Sequence, residues 1–163
     1  MAEILDSGSR CEFGSGAVRD VQEGKGRCDL LPLDTVAEFL AGNWCNYTMT
    51  LDPLMALDMF LFTRDTSYAL LAIYFFCKKR EWDEATAILE VSKHFEDGAK
   101  KYSPRNWEKG IPLSRYVDSG VRHYLKWLRG DDDEPHDRAF VWNMLCLVWT
   151  MNNHPECNDL TTD

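Results

Sequence analysis

Residues 136–152 would place apolar side chains on nearly every face of a helix: Phe140, Val141, Trp142, Met144, Leu145, Leu147, Val148 and Trp149 leave no polar stripe. A helix apolar all round must be enclosed by other elements. The chain therefore has to fold around its own last helix, with the preceding segments as the covering layer. Asn143 sits inside this run, seven residues after His136 and on the same face. A buried amide needs hydrogen-bond partners. Asn143 is thus either a satisfied core residue or one that lines a polar pocket.

The preceding segments read as helices. Residues 30–43 form a short one, with Pro32 and Asp34 at its start, Val36, Phe39 and Leu40 on its face and Gly42 at its end. Residues 54–63 and 66–79 are two apolar stretches whose Ala and Leu content favours helix. In 82–102, Ile88, Val91, Phe95 and Tyr102 keep helical spacing. Gly98 interrupts that helix, which a close approach by a backbone or a ligand would explain. Residues 114–129 follow, with Ser114 as N-cap, Gly130 at the C′ position, and Tyr116, Val117, Val121, Tyr124, Leu125 and Leu128 as the core face. Repeats and hairpin signals are absent, so the fold is predicted to be all-α. Residues 1–29 form a polar, Gly-rich arm, 30–152 a single domain, and 153–163 a loose tail.

Charge narrows the partners. Against 18 Lys and Arg stand 27 Asp and Glu, a net charge of −9. General nucleic-acid binding needs a basic face and is not expected. A small anion held by a few local cations remains compatible. No stretch is long and apolar enough to span a membrane, and the first residues lack a signal peptide's features. The six cysteines form no CxxC pair and read as free thiols of a reducing cytoplasm.

Three clusters bear chemistry. Asp131, Asp132, Asp133 and Glu134 precede His136 and Asp137. Acids there complement a helix N-terminus, and equally they could hold a divalent metal beside phosphates. Glu90 and His94 lie one helical turn apart, as a solvated face or as two groups on one ligand. Asp118 and Arg122 are spaced as an ion pair, with His123 next to them towards the core. A bundle that sets these helices side by side would bring acids and histidines together. Among the cations, Arg19, Lys25 and Arg27 lie in the arm. Lys100, Lys101, Arg105 and Lys109 surround Asn106 and Trp107. Arg105 and Lys109 could hold phosphates, Asn106 could read a base edge or sugar, and Trp107 could stack on a base or instead close the core. GxSxG and Walker A patterns are absent. His136-Asp137 gives only a two-residue likeness to HD phosphohydrolases.

Seven segments together resemble one family: SGAVRD (15–20), EGKGRCDLLP (23–32), GAKKY (98–102), NWEKGIP (106–112), RYVDS (115–119), RH (122–123), and DEPH with WN (133–136, 142–143). They are similar to the dATP/dGTP diphosphohydrolase-like proteins of phages, related to MazG-type all-α nucleotide pyrophosphohydrolases. Residues 41–84 look like an insertion relative to these. The resemblance implies cleavage of a purine deoxynucleoside triphosphate to monophosphate and pyrophosphate with Mg²⁺ or Mn²⁺. MazG-like enzymes hold metals with an ExxE and an ExxD pair. Here Glu134-x-x-Asp137 has the ExxD form and no ExxE surrounds Glu90. Aligning the apolar pattern of the last helix puts His136 and Ala139 in the paired positions.

On this basis Glu90, Asp133, Glu134 and Asp137 are the expected metal ligands, and His123, His136 and Asp118 the expected catalytic groups. Arg19, Lys25, Arg27, Lys101, Arg105, Asn106, Trp107, Lys109, Arg122 and Asn143 are the expected nucleotide contacts. The incomplete ExxE/ExxD pattern leaves a second reading, a phage protein that sequesters a nucleotide, including a signalling nucleotide of host defence. The expected location is the bacterial cytoplasm. The expected assembly is a homo-oligomer, dimer or tetramer, paired through the apolar 54–79 segment.

Overall fold

A computed structural model describes residues 9–46 and 51–160. Six α-helices lie among them: α1 (Leu33–Ala41), α2 (Pro53–Thr63), α3 (Thr66–Arg80), α4 (Glu84–Lys101), α5 (Leu113–Arg129) and α6 (His136–Asn153). The all-α expectation holds, with one addition. The arm carries a small antiparallel hairpin of β1 (Arg10–Glu12) and β2 (Val18–Asp20), with Cys11 opposite Arg19. None of the helices among the described residues is long and apolar enough to cross a membrane.

Local chemistry sets the helix ends. Asp52, Asp65 and Asp83 cap α2, α3 and α4, their carboxylates accepting from the amides of Leu54 (2.9 Å), Ser67 (2.9 Å) and Thr86 (2.7 Å). Arg64 and Glu81 turn the chain in the left-handed region at the ends of α2 and α3, and Gly130 does so after α5 with φ 85°. Ser114 is not the N-cap of α5, because that helix starts one residue earlier after Pro112. The Ser114 amide instead donates to Asp159 at 2.8 Å.

The last helix is central, as its composition requires. α1, α3, α4 and α5 all pack against α6, and Ala139–Val141 and Met144–Val148 are buried. Phe76 of α3 occupies the aromatic centre, its ring 4.8 Å from Phe140, 4.9 Å from Trp127 and 6.1 Å from Tyr124. α3 is buried from Ala69 to Cys77, so the 66–79 segment is core of this chain and not a free pairing surface. Four residues expected on apolar faces point outwards: Leu40, Tyr102, Leu125 and Leu128 are exposed. The Gly98 position has nothing within 4 Å of an added Cβ, so no backbone among the described residues approaches that glycine.

The described parts of the arm and the tail are tied to the helices. Gly24 and Gly26 of the arm donate their amides to the two oxygens of the buried Glu96 carboxylate, at 2.9 and 2.8 Å. Gly26 has φ +84°, and a Cβ there would lie 2.1 Å from Ser92 Oγ, so the loop can lie against α4 only as glycine. The tail, expected to be loose, forms a 3₁₀ turn at Pro155–Cys157. The Leu160 carbonyl accepts from Arg64 Nη2 at 2.8 Å.

Candidate functional site

The α5–α6 connection and the first turn of α6 gather the acids and histidines into one place. His136 opens α6 and is 2 % exposed. Its Nε2 lies 2.8 Å from Asp133 Oδ1, and Asp133 Oδ2 accepts from Lys126 Nζ at 2.8 Å. On its other side His136 Nδ1 lies 2.8 Å from Nδ1 of His123, on α5. A carboxylate accepts only, so His136 donates from Nε2 to Asp133, and in the neutral pair its Nδ1 accepts from Nδ1–H of His123. Glu134 Oε2 completes the group, 3.9 Å from His123 Nδ1.

The electrostatics follow from these contacts. Hydrogen bonds from Lys126 and then His136 bring the Asp133 carboxyl down to about 2. Burial holds His123 below its ordinary value, against the pull of Glu134. His94 reaches the same region from α4. Burial, with the charge of His123 adding to it, pushes His94 down to about 4. Its ring packs on Trp142 at 5.7 Å and its buried Nδ1 has no partner among the described residues. Donor atoms of His123, Glu134 and His136 all lie within 4.8 Å of one another, as do those of Asp131, Asp133 and His136. Imidazole nitrogens with carboxylate oxygens are a donor set that can hold a divalent cation.

Several expected ligands are engaged elsewhere. Glu90 accepts from Lys93 at 2.6 Å and from Arg138 Nη2 at 2.6 Å, and the Lys93 bond is the main cause of its lowered pKa. Asp137 is held by Arg80 at 3.0 Å. Asp118 pairs with Arg122 on an exposed face of α5, as their spacing predicts. Asn143 is a satisfied core amide, its Nδ2 donating to the Ala139 carbonyl at 2.8 Å.

The expected nucleotide contacts are dispersed. Trp107 does not offer a face for a base. It is buried, edge-on to Trp149 at 4.7 Å and to Phe95 at 5.9 Å, and closes the core. Arg105 bonds Glu108 and the Asp29 carbonyl, and Arg27 pairs with Asp29 at 2.6 Å. Asn106 begins the 3₁₀ turn that holds Trp107, and Lys109 ends it, exposed. Lys101 lies over the Tyr102 ring. Arg19 and Lys25 line a cavity beside the hairpin with Cys11 and Phe13. The arm meets α4 through Glu96 and the histidine cluster through His94. Two residues apart on a helix is about 200°, so the two face opposite sides of α4.

The cations at the cluster are ones the sequence reading passed over. Arg80, Trp127 and Arg138 join residues 131–137 around an open cleft of about 550 Å³. The available signal was helical spacing. Trp127 lies one turn after His123, and Arg138 two residues after His136.

No curated protein and no solved structure matches the chain. The profile of one family, described as dATP/dGTP diphosphohydrolase, N-terminal, matches residues 70–160, from α3 through α6 and the tail. That is more than half of the chain and includes every residue of the histidine–carboxylate cluster, so the protein belongs to the dATP/dGTP diphosphohydrolase N-terminal family.

Proposed function

We propose that this protein hydrolyses a purine deoxynucleoside triphosphate, dATP or dGTP, to the monophosphate and pyrophosphate with a divalent metal, Mg²⁺ or Mn²⁺. The observation that carries the reading is the cluster of His123, Glu134 and His136, which lies in the family-matched region and borders a cleft with two arginines on it. These three residues would hold the ion, which would neutralise charge on the phosphates and acidify a water. Asp133 keeps the His136 ring oriented, and Lys126 keeps Asp133 in place. Arg80 and Arg138 would exchange Asp137 and Glu90 for phosphate oxygens, since a guanidinium matches phosphate as well as carboxylate. Trp127 offers a half-buried ring at the cleft for the base.

The protein would act as a homo-oligomer. Support comes from the outer face of α2, where Met55, Met59 and Phe62 follow helical spacing and are exposed, Phe62 by 83 %. The expected place of action is the cytoplasm of a bacterial host.

Sequestration of an intact nucleotide is the second reading. It is favoured by the cation partners already held by Asp131, Asp133, Asp137 and Glu90, which leave Glu134 as the carboxylate of the three-donor group. The test is chromatography of a panel of deoxy- and ribonucleoside triphosphates incubated with the protein and Mg²⁺ or Mn²⁺. Monophosphate from dATP or dGTP, abolished by EDTA, supports hydrolysis. Intact ligand retained by the protein and released on denaturation supports sequestration.

A further inference from the structure

We infer that the ion at this site is a first-row transition metal held through imidazole nitrogen, and that the site discriminates against Mg²⁺. The inference rests on the proposed metal dependence and goes further, since it fixes donor atoms and ion class. Three features carry it. His136 Nε2 is engaged by Asp133 at 2.8 Å, which leaves Nδ1 as the ring's lone-pair nitrogen. A carboxylate behind a ligating histidine is the usual device that fixes its tautomer and ring orientation. Next, the His123 and His136 Nδ1 atoms meet at 2.8 Å from two different helices, sharing one proton that His123 donates, and an ion that displaces that proton would meet both nitrogens. Finally, Glu134 is 57 % exposed on the open side, 3.9 Å from His123 Nδ1, where it can close on an ion without disturbing the core.

A structural role for the histidine pair is a poor alternative. His136 is 2 % exposed, and its partners among the described residues are Asp133, which is exposed, and the half-buried His123. An apolar side chain of similar size would pack the first turn of α6 without a polar group to satisfy. The ligand chemistry then selects the ion. Mg²⁺ prefers oxygen donors and keeps much of its water, whereas Mn²⁺, Co²⁺ and Zn²⁺ accept imidazole nitrogen with carboxylate. Asp131 and Asp133 are paired with Arg129 and Lys126, whereas the group of His123, Glu134 and His136 offers two nitrogens and one carboxylate.

The test uses the full chain stripped with EDTA, with Mn²⁺ alone as the probe. Loss of the free Mn²⁺ paramagnetic resonance signal measures binding, and pulsed resonance on the complex detects coupling to ligand ¹⁴N. The expected result is one bound Mn²⁺ per chain with imidazole ¹⁴N coupling, resisting competition by at least a tenfold excess of Mg²⁺. His123→Gln, at a half-buried position, should remove part of that coupling and weaken binding at least tenfold, with an unchanged circular dichroism spectrum. His136→Gln tests the second nitrogen if it folds, and His123→Gln suffices if it does not. Absence of bound Mn²⁺, bound Mn²⁺ without ¹⁴N coupling, or displacement by equimolar Mg²⁺ would each overturn the inference. The nucleotide assay separates its failure from that of the proposed activity. Hydrolysis with Mg²⁺ and no nitrogen coupling leaves the activity standing, and nitrogen-bound Mn²⁺ without hydrolysis leaves the metal site standing.

Discussion

At the scale of single residues, the cluster separates groups that hold the fold from groups free to act. Glu134 is exposed and outside the core, so Glu134→Gln should abolish turnover while the far-ultraviolet spectrum and melting temperature stay at wild-type values. Retained turnover would remove Glu134 from the site. His94 gives a pH signature. Its value of about 4 lies below the ordinary 6.5, so the unfolded chain binds the extra proton between these limits. Stability should therefore fall as pH drops from 6.5 towards 4, by up to about 3 kcal/mol from this one group. Thermal unfolding in EDTA should show that slope, and His94→Gln should flatten it relative to wild type. Each of His94, His123, Glu134 and His136 could be picked out in the sequence from its residue type. Their meeting could not, because it depends on which faces of α4 and α5 turn towards the start of α6. Trp107 failed in the opposite direction. Its neighbours Arg105 and Lys109 suggest a ligand loop, yet the ring is drawn into the core by Trp149 and Phe95, both distant in the sequence.

At the scale of elements, the periodic segments were legible and the docked loops were not. Helices α2 to α6 stand within about two residues of their expected bounds, because their caps and apolar spacing are local signals. The arm and the tail have no such pattern. They are ordered by contacts with partners 45 to 96 residues away, among them Glu96, Asp159 and Arg64. The arm's attachment can be tested directly. Gly26→Ala forces a strained backbone and a clash with Ser92, and should cost at least about 1 kcal/mol. Hydrogen exchange should show lost protection at the Gly24 and Gly26 amides. Glu96 has its pKa lowered, by the Gly24 amide first, so this protection is present above the ordinary carboxyl range and is lost as pH falls through the folded-state value. Equal protection of both amides in Glu96→Gln and wild type would show that the carboxylate does not hold the arm.

At the scale of the whole molecule, the chain closes around α6, and two surfaces among the described residues bear on function. One is the α2 face of Met55, Met59 and Phe62, on which the proposed oligomer rests. Phe62→Asp should lower the mass measured by sedimentation to that of one chain, with the helical spectrum retained. An unchanged mass would move the interface elsewhere or leave the protein monomeric. The other is the cleft at the histidine cluster, where the proposed hydrolysis would break the bond between the α- and β-phosphates. ³¹P nuclear magnetic resonance of dATP and dGTP turnover with Mn²⁺ identifies that bond. The account predicts deoxynucleoside monophosphate and pyrophosphate in equal amounts. Inorganic phosphate with a diphosphate, or free triphosphate with the nucleoside, would place the cut at another bond and contradict it.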